Sequence, residues 1–122
     1  MQNFQKLTVW HLARHIAKEV YLLTKNLPVS ERFGLTSQIR RCVISISSNI
    51  AEGAAKTSKA DFTRFLEISL GSCFEIRSQL ILCNDLNYFS AESTQGLFTN
   101  LEKLEKQISS LITRIRSKAT FN

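Results

Sequence analysis

Glycine and proline together supply only five of the chain's 122 residues, four and one respectively. Average usage would give roughly 12% of a chain, about three times as much. A chain that so rarely turns sharply must consist of a few long elements. A many-stranded sandwich or barrel needs a turn about every 8–12 residues and is therefore excluded. Collagen-like and low-complexity classes are excluded by the same scarcity. The length suits one domain covering residues 1–122, since domains commonly run about 100–200 residues. Hydrophobic residues make up 43% of the chain, enough to fill a core.

Apolar periodicity and punctuation mark four helices, at about 8–26, 31–55, 59–86 and 91–118. The first carries Val9, Ala13, Ile16, Val20, Leu23 and Leu27 in steps of three and four, and Pro28 stops it. The second begins after Ser30 and carries Leu35, Ile39, Cys42, Val43, Ile46, Ile50 and Gly53. Ser58 and Asp61 form a Ser-x-x-acid box that opens the third. Its core line is Phe62, Phe65, Leu66, Ser69, Cys73, Ile76, Leu80 and Cys83, and Asn87 is placed to take a left-handed cap with Tyr88 folding back. Ser90 caps the fourth, whose seam is Leu97, Leu101, Leu104, Ile108, Leu111 and Ile115, with Gly96 placed in it. Short connections between long helices give an all-α, antiparallel up-down-up-down four-helix bundle.

The formal net charge is +6, spread along the chain rather than held in a tail. Such a balance permits polyanion binding and says nothing about fold. Cys42, Cys73 and Cys83 are odd in number, lie in helical apolar contexts and form no C-x-x-C, so they read as reduced core thiols. The N-terminal stretch lacks the apolar region of a signal peptide, and no run of about 18 apolar residues spans a membrane. A cytoplasmic setting without membrane contact is expected.

Leu70, Phe74 and Ile81 form a second apolar strip on the third helix, away from its core line, and Phe33 and Ile44 lie off the core line of the second. A wide core face is one explanation. Self-association is the other, and two helices sharing the excess favour it. The strips differ in composition, which suits a heterologous contact that closes into a ring better than a two-fold dimer.

A polar flank of Gln38, Arg41, Ser45, Asn49 and Glu52 faces Ser72, Glu75 and Gln79. Arg40 or Arg41 would neutralise Glu52 or Glu75 in a network that fixes helix register. The catalytic alternative, a hydrolase using Glu52 and Glu75 as a carboxylate pair, lacks a histidine or nucleophile at a matching offset, so no catalytic residue is assigned. His11, His15 and Glu19 form a row compatible with a metal, but no H-E-x-x-H or Glu-x-x-His accompanies them. Solvated histidines are the simpler reading, and no metal or cofactor is expected. Two basic strips remain: Arg14, Lys18 and Lys25 beside Trp10 and Tyr21, and Lys103, Lys106, Ser110, Arg114 and Lys118 on the last helix. Each alone reads as a solvated face. Together, on a basic chain, they suit phosphate contact and base stacking.

The run Glu31-Arg32-Phe33-Gly34-Leu35, Gln38-Ile39-Arg40-Arg41, Ser45-Ile46 and Asn49-Ile50-Ala51-Glu52-Gly53 resembles the signature of the four-helix proteins encoded in bacterial 23S ribosomal RNA intervening sequences. The likeness continues through Phe65-Leu66, Gly71-Ser72, Glu75 and Leu86-Asn87-Tyr88, and Leu7, Val9-Trp10 and Ala13 fit the opening helix. It covers about residues 4–89, with the last helix alike only in its apolar pattern. Cys42 and Ser69 stand where alanine is common and Asn87 where glycine is common. The resemblance implies an all-α bundle assembled as a ring, a homopentamer. It also marks Gln38, Asn49, Glu52, Ser72 and Glu75 as signature polar positions. Some relatives are accessory proteins of diversity-generating retroelements that bind RNA or DNA and a reverse transcriptase. A reverse transcriptase is thus an implied partner where one is encoded nearby.

These readings converge on a non-enzymatic, basic, oligomeric scaffold that contacts RNA or DNA electrostatically. Arg14, Lys18, Lys25, Arg40, Arg114 and Lys118 are the candidate contacts. The alternative is a protein–protein adaptor whose charge serves solubility alone.

Overall fold

Two local devices set where the second helix begins, and both differ from what periodicity alone suggests. Residues Val29–Glu31 form a 3-10 turn, and the helix starts only at Leu35. Glu31 therefore lies outside any α-helix. Its Oε1 accepts a hydrogen bond from the Leu35 amide at 3.3 Å, filling the place of a cap that Gly34 has no side chain to supply. A Cβ at position 34 would lie 2.8 Å from that same oxygen, so glycine keeps the cap open. The other Glu31 oxygen accepts from the Tyr88 hydroxyl at 2.8 Å, which ties this start to the turn after the third helix and raises the tyrosine pKa.

The computed structural model describes residues 1–118. Among them lie four α-helices and no strand: α1 Thr8–Thr24, α2 Leu35–Ala54, α3 Lys59–Asp85 and α4 Ala91–Ser117. A further 3-10 turn, Phe4–Lys6, leads into α1. The other helix ends follow the sequence signals. Ser58 Oγ accepts from the Asp61 amide at 3.1 Å, and Ser90 Oγ accepts from the Ser93 amide at 3.1 Å. Asn87 has φ 62°, and the amides of Asn87 and Tyr88 close on the carbonyls of Asn84 and Cys83 at 3.0 and 2.9 Å. That pair of bonds is a Schellman motif, with asparagine in the left-handed position that glycine often takes.

The apolar lines meet in one core. Ala13, Ile16 and Val20 of α1 are fully buried with Ile39, Val43, Ile46 and Ile50 of α2. Leu66, Cys73, Ile76 and Leu80 of α3 and Leu101, Leu104 and Ile108 of α4 join them. Leu23 and Phe65 are only partly buried, and Gly96 is exposed rather than in the α4 seam. Each helix packs on two others in the cycle α1, α2, α3, α4 and back to α1.

Small polar side chains let α2 and α3 approach closely. Ser69 Oγ donates to the Ile46 carbonyl at 2.8 Å, and Cys42 Sγ donates to the Ser72 carbonyl at 3.2 Å. Ser45 and Ser72 share a hydrogen bond of 2.5 Å between their hydroxyls. Between α3 and α4, Arg77 grips Glu105 with two bonds, at 2.7 and 2.9 Å, and Asn84 donates to Thr94 at 3.1 Å. Glu105 lies within the apolar seam of α4 and is almost fully buried, so this bidentate partner satisfies an otherwise costly charge. Asn100 of α4 donates to Glu19 of α1 at 2.9 Å.

Candidate nucleic-acid interface

The seam of α4 faces the core, so the residues three and four apart on its far side must meet water. Lys103, Lys106, Ser110, Arg114 and Lys118 are all exposed there. Three hollows of about 410, 390 and 690 Å³ run along this face, and Lys106 lines all three. Together they make a shallow trough from Thr99 to Ser117, about 27 Å at 1.5 Å per residue, in which the hollows of 390 and 690 Å³ lie between side chains of α4 alone. Glu102 stands at one end. Arg116 turns away to Glu67 at 3.2 Å, and the Lys118 carbonyl accepts a hydrogen bond from Lys59 Nζ.

At its 410 Å³ hollow the trough meets the start of α1, where Lys6, Leu7, Thr8 and Val9 form the opposite wall. Lys6 thus joins Lys106 and Arg114. Helical projection could not show this, because Lys6 lies outside any α-helix and its place depends on how α1 packs against α4.

The α1 strip is a different kind of surface. Arg14, Lys18 and Lys25 are exposed, but Arg14 sits 5.4 Å from the centroid of the Trp10 ring, and Phe4 meets that ring edge-on at 4.9 Å. The Trp10 face on which a base would stack is therefore already occupied. His15 contacts Glu19 at 3.4 Å, and His11 Nε2 donates to the Gln5 carbonyl at 2.6 Å. Among the described residues no cluster of three or more His, Cys, Asp or Glu is placed to hold a metal ion.

Arg40 belongs to neither strip. Its Nε donates to Thr24 Oγ1 at 2.9 Å and an Nη to the Tyr21 carbonyl at 3.3 Å, with the guanidinium 4.6 Å from the Tyr21 ring centroid. This joins α1 to α2 at the C-terminal end of α1, the end away from the Lys6 groove. Lys25 lies at that same end.

The expected polar network is narrower than the sequence suggests. Ser45, Ser69, Ser72 and Cys42 form its centre, and Asn49 Nδ2 donates to the Ser45 carbonyl at 2.7 Å. Gln38, Arg41, Glu52 and Glu75 are exposed around it. Among the described ion pairs, neither Arg40 nor Arg41 meets Glu52 or Glu75. Arg40 is drawn to α1 instead, and Arg41 faces solvent. The two carboxylates do not form a pair either. Gly53, beside Glu52, packs on Phe62 and Phe65, whereas Glu75 lies beside Cys42. Ten residues of α3 separate Phe65 from Glu75, about 15 Å along the helix.

The cysteines are free and buried. Burial, helped by the Glu75 carboxylate, pushes the Cys42 thiol up to about 12. Burial followed by Glu105 does the same for Cys73, also to about 12. Both are held as neutral thiols, without the thiolate that nucleophilic chemistry requires.

Apolar side chains remain uncovered on the other side. Phe33 is 88% exposed, Phe74 and Ile81 are each 50% exposed, and Ile44 is 43% exposed. Leu70 is partly buried against the core, so the open strip of α3 is Phe74 and Ile81, widened by the half-exposed Ile68, Leu82 and Leu86.

Fold and surface together define an all-α protein of four helices with a cationic outer helix. Residues 5–110 match the model of the 23S rRNA-intervening sequence protein family, and the chain belongs to that family. A solved structure is similar to it, that of a protein of unknown function from the S23 ribosomal protein family of Bacteroides thetaiotaomicron. The two share 29% identity at a TM-score of 0.79, over 86% of this chain and 98% of that one. No curated protein matches the chain. No helix among the described residues is long and apolar enough to cross a membrane.

Proposed function

We propose that the protein is a non-enzymatic, oligomeric helical scaffold that contacts RNA or DNA through surface cations. The observation that carries this reading is the α4 face, where Lys103, Lys106 and Arg114 line three neighbouring hollows that share Lys106. Clustered cations in a concave surface concentrate positive potential and attract a polyanion. The contact is electrostatic and weakly sequence-specific, and Arg14 and Lys18 extend it on α1. Titrating labelled RNA and DNA oligonucleotides at low salt, read by fluorescence anisotropy, tests it. Binding that weakens steeply with salt is the expected outcome, and no binding to either polymer refutes it.

The scaffold is an up-down-up-down antiparallel bundle. Support comes from the pairings Cys42 with Ser72 and Ile46 with Ser69, and Arg77 with Glu105 and Asn84 with Thr94, in which numbers rise on one helix as they fall on its neighbour. Copies associate through Phe74 and Ile81 of α3 and Phe33 and Ile44 on the α2 side, closing into a ring. Three free, buried thiols suit a reducing, cytoplasmic compartment. The same exposed apolar side chains favour the second reading, a protein–protein adaptor. Heparin elution no later than net charge alone dictates, with co-purification of one specific protein, would select it.

A further inference from the structure

Helix α1 starts without a side-chain cap. Its N-cap residue is Leu7, which has no oxygen to offer, and the amides of Thr8 and Val9 have no acceptor among the described hydrogen bonds. Helix starts usually recruit Ser, Thr, Asp or Asn for this purpose, as α3 and α4 do here. The uncapped end lies in the 410 Å³ groove, whose lining includes three cations from two elements, Lys6, Lys106 and Arg114. No lining residue is acidic. Thr8 and Ser110 add hydroxyls, and the Gln107 carboxamide oxygen is buried there without a hydrogen-bond partner among the described residues. Buried polar groups are normally satisfied, so this one marks hydrogen-bonding capacity that the fold itself does not use.

We propose that this groove seats a phosphate group of a nucleic-acid strand. The proposal rests on the nucleic-acid reading above and assigns it a place. Lys6, Lys106 and Arg114 neutralise the phosphate, and the amides of Thr8 and Val9 donate to its oxygens at the positive end of the α1 dipole. The Ser110 and Thr8 hydroxyls are left for the remaining phosphate oxygens, and the Gln107 carboxamide oxygen, an acceptor, is matched only by a hydroxyl of the adjoining sugar. No aromatic ring lines the groove, so the bases stay outside and the contact reads backbone rather than sequence. The rest of the trough then guides the strand along α4, past Lys103 in one direction and Ser117 in the other.

The test compares the wild-type protein with the double variant Lys106→Gln and Arg114→Gln. Both side chains are exposed, and circular dichroism checks that the variant remains folded. Single-stranded RNA binding is measured by anisotropy across a salt series. Loss of this phosphate contact should lower the slope of log affinity against log salt by about 0.7, the value for one phosphate on a single strand. In parallel, a nucleoside 5′-monophosphate is titrated into wild-type protein while the Thr8 and Val9 amide resonances are followed, and both should shift. An oligonucleotide with a 5′-phosphate that binds more tightly than its 5′-hydroxyl counterpart places a terminal phosphate in the seat, and equal binding places an internal one. An unchanged slope in the variant, or amides that do not move, overturns the seat while leaving the broader reading intact. Wild-type protein that binds no RNA or DNA at all overturns both.

Discussion

The same substitution, glycine to alanine, should have opposite signs at different places in this molecule. Gly53 is buried in the last turn of α2, against the start of α3. A Cβ there would stand 2.7 Å from the Phe65 Cβ, 3.2 Å from Phe62 Cδ1 and 3.3 Å from the Phe62 carbonyl oxygen. Carbon atoms in ordinary contact are about 3.5–4.0 Å apart, so the first contact is about 1 Å too short. Neither the Phe65 Cβ nor the Phe62 carbonyl is the free end of a side chain, so relief requires α3 to move away from α2. Overpacking of this kind costs about 1–3 kcal/mol, while the helix favours alanine by at most about 1 kcal/mol. With the full helix gain subtracted, the net loss for Gly53→Ala is up to about 2 kcal/mol, a fall in Tm of up to roughly 10 °C for a chain of this size. Gly71 and Gly96 are exposed inside α3 and α4, and a Cβ at either meets nothing within 4 Å. Each Gly→Ala change there should stabilise by up to about 1 kcal/mol. Thermal unfolding followed by far-UV circular dichroism on the three variants separates the two cases. If Gly53→Ala raises Tm as Gly96→Ala does, the close α2–α3 approach described here is wrong.

Glu105→Ala leaves the Arg77 guanidinium half-buried without its bidentate partner, and should cost about 3–5 kcal/mol in urea unfolding. Replacing both residues by methionine should recover most of that loss, and a double variant as unstable as the single one would contradict the pairing. Cys42 and Cys73, with pKa values raised to about 12 from an ordinary 9.0, should resist alkylation at pH 8 in native protein and react fully in guanidinium. Because the folded pKa is the higher one, their contribution to stability is complete below about pH 9 and declines as pH rises towards about 12, so alkaline melting curves should shift downward. Phe74→Glu should lower the oligomeric state in sedimentation while helical circular dichroism is retained, since the half-exposed Phe74 forgoes about half of the roughly 1.5–3 kcal/mol of full burial. A monomeric wild-type protein would show that the strip is not a subunit contact.

Much of the fold was legible because it depends on local rules. The three- and four-residue steps from Val9 to Val20 and from Leu97 to Ile115 predicted buried faces, and Ser58, Ser90 and Asn87 cap their helices as their side chains dictate. The start of α2 was less visible, because Glu31 has good helix propensity and its capping of Leu35 arises only once the chain has turned at Val29–Glu31. Long side chains were the other source of error. Position on a helical wheel places the Cα of Arg40, but its guanidinium reaches across to Thr24 on another helix. Glu105 carried a signal in its spacing, since a charge between Leu101 and Ile108 in a seam requires a buried partner. The basic strip on α4 was readable from spacing alone. Its depth, and the contribution of Lys6 to it, come from the packing of α1 against α4, which no single-helix pattern encodes.

Lysine footprinting tests the proposed nucleic-acid contact most directly. The protein is acylated briefly with and without saturating single-stranded RNA, and the modification of each lysine is read by mass spectrometry. Lys6, Lys103 and Lys106, exposed along the trough in the free protein, should lose reactivity together when RNA is present. Equal modification of these three lysines in the free and RNA-saturated samples would show that α4 does not carry the nucleic acid.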